Sequence, residues 1–139
     1  MVQRRCTMAG MTLIHDLITT NTAGAHTSEQ ALALFRPVLE LHDFVIDAPC
    51  CGTRLRPDGW RELDRTMIEV EAVRTVRGNQ WATDIVKAIE LQAAHLILLV
   101  KKANSTYKGM NDQRYVAGRI ERLAPKLLLL GLQVDVLGW

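Results

Sequence analysis

Asn79 to Asn104 reads NQWATDIVKAIELQAAHLILLVKKAN, and the fold class turns on this stretch. At about 100° per residue, Trp81, Ile85, Ala88, Ile89, Ala93, Leu96 and Val100 share one arc, which Ala82, Val86, Ile97 and Leu99 widen. No proline or glycine interrupts it. The pattern predicts one helix of about seven turns, apolar over a wider face than a surface helix needs. Leu91 and Leu98, one heptad apart with Ala94 between them, form a second, narrower stripe beside Lys87, Glu90, Lys101 and Lys102. A helix apolar on two sides is either sandwiched inside a domain or shared between subunits.

The flanking segments extend the helical expectation. Met8 to Thr20 carries Met11, Ile14 and Ile18 at helical spacing, and TTNTAGAHT follows as loop material. Thr27 with Gln30 makes a capping-box signature for a second helix through Ala31, Phe35 and Leu39, in which Pro37 predicts a kink or break near Arg36. Asp47 to Gly59 (DAPCCGTRLRPDG) is the clearest loop, and a short hairpin is admitted only within Phe44 to Leu55. Trp60 to Arg77 is assigned to a third helix, closed by Gly78. After the polar turn NSTYKGMN, Asn111 or Asp112 caps a last helix that Pro125 bends and Gly131 ends. The alternating residues 132–139, LQVDVLGW, are β-prone and form an extended tail. The sum is an all-α, single-domain helical bundle of about five helices spanning 1–139, with an extended C-terminal tail and a basic leader at 1–10 that an internal start at Met8 or Met11 would remove.

Composition narrows the class further. A chain of 139 residues, 48% hydrophobic and 23% charged, has the make-up of one ordinary globular domain. Its longest apolar runs, Leu96 to Val100 and Leu127 to Leu130, are far too short to cross a bilayer, so no membrane association is expected. Three cysteines, Cys6, Cys50 and Cys51, fit a reducing compartment and a cytoplasmic location. The net charge of +2 implies no partner by itself, but its distribution is uneven. Lys101, Lys102, Lys108, Arg114, Arg119, Arg122 and Lys126 stand against only Asp112 and Glu121. On a helical wheel Arg114, Arg119, Arg122 and Lys126 lie opposite Ile120, with Tyr115 and Tyr107 nearby.

Candidate chemistry is sparse. His42, Cys50 and Cys51, with His15 or His26, lack zinc-ligand spacing, because adjacent cysteines point apart. Glu62, Asp64, Glu69 and Glu71 invite comparison with helical nucleotide pyrophosphohydrolases, whose magnesium ligands recur at i, i+3 on a helix. That spacing is absent, and interleaving with Arg61, Arg65, Arg74 and Arg77 reads as a salt-bridged helix surface. His95 reads as a hydrogen-bonded structural residue. No catalytic residue, metal or cofactor is assigned.

The leading expectation is a non-enzymatic subunit that binds a protein partner or self-associates through Leu91, Ala94 and Leu98 and the tail residues Val134, Val136 and Trp139. The alternative is a nucleic-acid-binding subunit using Lys101, Lys102, Lys108, Arg114, Arg119, Arg122, Lys126 and Tyr115. A small enzyme or metal site in the 42–59 loop ranks third.

Overall fold

The computed structural model describes residues 12–72, 80–102 and 112–139. It overturns the all-α expectation: the chain is an α/β protein with a five-stranded mixed sheet. A helix over 12–18 (α1) is followed by α2 (Ser28–Leu41), β1 (Val45–Ile46), β2 (Gly59–Arg61), β3 (Thr66–Glu71), α3 (Gln80–Glu90), β4 (His95–Val100), α4 (Asp112–Leu129) and β5 (Gln133–Gly138). The strands lie in sequence order, β1 and β2 antiparallel to their successors, and β3, β4 and β5 mutually parallel.

The supposed central helix of residues 79–104 is therefore two elements. Its first half forms α3 and its second half, HLILLV, forms β4, an interior strand between β3 and β5, five of whose six residues are buried. A strand covered on both faces is apolar at every position, and such a run satisfies a wide helical arc as readily as it fills a parallel strand. The break falls at Gln92, a non-glycine residue at φ 54. Gln92 N–H donates to Ile89 O and Ala93 N–H to Ala88 O, a Schellman cap that satisfies the last carbonyls of α3. The same paired bonds end α2 around Asp43 (φ 66) and α4 around Gly131 (φ 76). Only Gly131 advertises its cap in the sequence, which is why the end of α4 is legible and the end of α3 is not.

Trp60–Arg77, expected as a helix, instead supplies β2 and β3 joined by a tight turn in which Arg65 takes φ 55. The proposed cap at Gly78 lies outside the described residues. The Thr27–Gln30 capping box is present in full, and α2 runs through Pro37 to Leu41. The β-prone tail is β5, hydrogen-bonded along β4 in register from His95↔Gln133 to Val100↔Gly138.

Helices cover both faces of the sheet. On one side α3 and α4 pack Trp81, Ile85, Ala88, Val116 and Ile120 against Met67, Leu96, Leu98 and Val100. On the other, α1 and α2 pack Leu13, Leu17, Phe35 and Leu39 against Ile68, Val70, Ile97 and Leu99. Strand alternation thus places Met67, Glu69 and Glu71 of β3 on the face carrying α3, and Ile68 and Val70 on the face carrying α2.

Candidate metal centre

A spacing of two residues diverges on a helix and converges on a strand, so the β3 assignment changes what Glu69 and Glu71 are. Both point toward α3, where Asp84 meets them. Ligating atoms of Glu69, Glu71 and Asp84 all lie within 4.8 Å of one another, the group of His, Cys, Asp or Glu side chains among the described residues that is disposed to hold a metal ion. Glu69 is 3% and Asp84 4% exposed. Lys87, one turn beyond Asp84 on α3, donates from Nζ to Glu69 Oε1 at 2.7 Å.

Asp58 borders the triad. It precedes β2, and one step beyond the Gly59↔Ile68 pair brings it opposite Glu69. Its Oδ2 accepts the Val70 backbone N–H at 2.7 Å. Gly59 suits the position beside it, because a Cβ there would lie 3.1 Å from Ile68 Cβ and 3.3 Å from Phe44 Cδ1 and would press the neighbours apart by a few tenths of an ångström. The close approach of β2 to β3 brings Asp58 to Glu69.

Carboxylates gathered this tightly resist ionising together. Burial, then the charge of Asp58, push Glu69 up to about 8 against the opposing pull of Lys87. Burial, then hydrogen bonding and repulsion from Glu71, push Asp84 up to about 10. For Lys87 burial alone would lower the ammonium pKa, but contact with Glu69 and the charges of Asp84 and Asp58 outweigh it and raise it. Near neutral pH the metal-free cluster therefore holds protons that a divalent cation would displace.

Two observations fit a cation. Asp84 Oδ2 is buried with no hydrogen-bond donor on it, the side chain's one hydrogen-bonding neighbour being another carboxylate, that of Glu71. The donor set is all carboxylate oxygen, suited to magnesium or manganese rather than to softer metals. The site also sits at the carboxyl end of β3 in a parallel β3–β4–β5 unit, where α/β sheets open crevices for ligands.

The other candidate residues fall elsewhere. Leu91 and Leu98 are 2% and 0% exposed, so their stripe packs inside this chain, while Ala94 is exposed. Val134, Val136 and Trp139 are half-buried, and Trp139 Nε1 donates to Leu99 O at 2.9 Å. Lys101, at the end of β4, lies over the Trp139 ring, and Lys102 is exposed beside it. Arg114, Arg119, Arg122 and Lys126 are exposed on α4, with Tyr115 half-buried among them, while Lys108 and Tyr107 lie outside the described residues. His95 hydrogen-bonds Asp135 at 2.6 Å across β4 and β5. In the 42–59 loop region His42 pairs with Asp16 at 2.7 Å, and burial with the Cys51 contact pushes the Cys50 thiol up to about 12, away from a reactive thiolate.

The signal that marks the centre in the sequence is TMIEVE, two acids alternating with β-prone residues, downstream of Pro57-Asp58. No protein family matches the chain, and neither curated proteins nor solved structures yielded a match.

Proposed function

We propose that the protein is a divalent-cation-dependent hydrolase of phosphodiesters, with Glu69, Glu71 and Asp84 as the cation's ligands. The observation that carries this reading is the carboxylate triad, Glu69 and Asp84 buried and Glu71 half-buried, with the unpaired Asp84 Oδ2. A bound magnesium or manganese ion supplies Lewis-acid polarisation of a phosphoryl oxygen and lowers the pKa of water. The chain's own contributions follow from its geometry. Glu69 and Glu71 are held on a central strand, and Asp84 and Lys87 on the helix that packs over it, so the ligands stand on rigid elements. Lys87 neutralises Glu69 and presents a cation where negative charge builds up on a phosphoryl group. Asp58, at the edge of the triad, is placed to accept a proton from an attacking water.

Phosphodiesters of nucleic acid are favoured because positive charge gathers at the same edge of the sheet. Lys101 and Lys102 follow the carboxyl end of β4, and α4, which carries Arg114 and Arg119, begins at that edge. The expected nucleic-acid contact of the basic segment thus becomes the substrate-holding part of this reading. Titration calorimetry with MnCl2 and cleavage of a labelled oligonucleotide test it. Wild type should bind Mn²⁺ and cleave, and Glu71→Gln should do neither; wild type that binds no cation sinks the proposal.

Self-association keeps a separate support, at the opposite pole. Leu128, Leu129 and Leu130 at the end of α4 and Leu63 at the β2–β3 turn are exposed large apolar residues near the amino ends of β3 and β5. Light scattering on Leu129→Glu is the test, and a wild-type monomer removes this second reading.

A further inference from the structure

Among the described residues two buried side-chain polar atoms have no hydrogen-bond partner, Asp84 Oδ2 and Trp81 Nε1. Both belong to α3, three residues apart, and Trp81 is only 6% exposed. The cation accounts for the first, an acceptor. The second is a donor, for which a cation does nothing, and an indole N–H is satisfied only by an acceptor such as an oxygen. Its position gives it a direction. Because α3 returns antiparallel to β3, successive turns of the helix climb the strand: Lys87 meets Glu69, Asp84 meets Glu71, and Trp81 comes one turn further toward the carboxyl end of β3, beyond the carboxylates. Arg119 of α4 lies over the Trp81 ring, its guanidinium carbon 6.0 Å from the ring centroid. It is exposed. An unsatisfied N–H and an arginine that pairs with no acid among the described residues, side by side and one turn from an acidic centre, form a place for anionic oxygen.

We propose that Trp81 and Arg119 form the phosphate anchor of the centre, the indole N–H donating to a non-bridging oxygen of the scissile phosphate and Arg119 neutralising the phosphate next to it. The anchor rests on the hydrolase reading and adds its polarity: carboxylates hold the cation on the inner side, and the indole and guanidinium hold the substrate's anion on the outer side. Arg119 is itself oriented by stacking on the indole, so the two act as a unit.

The test uses Trp81→Phe and Arg119→Gln in the full chain. Phenylalanine keeps an aromatic ring but removes the unpaired donor, so a purely structural role leaves activity intact. The anchor predicts the reverse: kcat/KM for a fluorescein-labelled oligonucleotide falls roughly tenfold to a hundredfold, as for loss of a hydrogen bond to a charged group. Thermal stability should be equal or higher and Mn²⁺ affinity unchanged. Arg119→Gln should raise KM several-fold with kcat nearly constant, and in EDTA should weaken oligonucleotide binding by anisotropy with a salt slope smaller by about one. Wild-type cleavage by Trp81→Phe overturns the anchor and leaves the hydrolase standing, as does a loss of stability and Mn²⁺ affinity that tracks the loss of activity. A wild-type protein that neither binds Mn²⁺ nor cleaves overturns the hydrolase reading and the anchor with it.

Discussion

Asp84→Asn should stabilise the metal-free protein while abolishing its response to divalent cations, an unusual pairing of outcomes for a buried substitution. Asparagine preserves the shape of the side chain, and its amide N–H₂ can donate to the neighbouring Glu71 carboxylate, which in the wild type repels Asp84. The folded-state pKa of Asp84 is raised from 3.8 to about 10, so between those values the folded chain keeps a proton that the unfolded chain has released. Stability therefore falls as pH rises across that window. At pH 7 the full linkage amounts to roughly 4 kcal/mol, at about 1.36 kcal/mol per unit. Asp84 is 4% exposed, so solvent screening takes little of this. Relaxation of the site and an effective dielectric well above that of dry protein bring the usable figure to ~2 kcal/mol. Asparagine has no such proton to lose. In EDTA near pH 7 its melting temperature should exceed the wild type's by roughly 5 °C, a gap that closes as pH falls toward 4. With Mn²⁺ at about a hundredfold excess over Kd the wild type should gain ~2.7 kcal/mol and the variant nothing. Scanning calorimetry from pH 4 to 9, with and without MnCl2, reads both. A variant less stable than wild type in EDTA at neutral pH, or a gap that does not change with pH, refutes the reasoning.

Lys87→Met should cost little near pH 6, where Glu69 with its pKa of about 8 is largely protonated, because no charge is left unpaired. Above that value the wild-type Glu69 ionises against Lys87, whereas the variant lacks the ammonium that lowers its pKa and must keep the proton, so the loss should grow by roughly 1.4 kcal/mol per pH unit; chemical denaturation at two pH values decides, and equal losses contradict the pairing. Gln92→Gly should stabilise by roughly 0.5–1 kcal/mol, since Gln92 caps α3 at φ 54 where glycine carries no Cβ penalty; a lower melting temperature would mean that the side chain matters more than the backbone. The His95 hydrogen bond is the main cause that lowers the Asp135 pKa below 3.8, so its stabilisation is present above that value and is lost as pH falls through the lowered one. Asp135→Asn should accordingly lose roughly 0.5–1 kcal/mol at pH 6, kept small by solvent screening, and progressively less as pH falls below 3.8; a loss independent of pH in urea titrations counts against an ionic contribution.

Much of the secondary structure was legible locally. The capping box at Thr27, the loop from Asp47, the end of the last helix at Gly131 and the β-prone tail each follow from residues within a few positions of one another. The mistaken assignments came where two periods fit the same letters. HLILLV satisfies a helical arc only because every position is apolar, and it is apolar because the strand is covered by α3 and α4 on one side and by α1 and α2 on the other. For TMIEVE the error reached function: on a helix Glu69 and Glu71 diverge as surface charges, whereas on a strand they converge on one buried face.

The sequence by itself determined the local vocabulary: the number of apolar segments, most of the turns, the excess of positive charge after Lys101, and the absence, among the described residues, of a helix long and apolar enough to cross a membrane. Tertiary structure decided which segments became strands, and through that which acids meet. Asp58, Glu69, Glu71 and Asp84 come from a loop, a strand and a helix, and they are brought together only because β2 and α3 both pack on β3. Repulsion among them opposes that packing, and the burial of Met67, Ile68, Leu96 and Leu98 around them is what holds the acids in place.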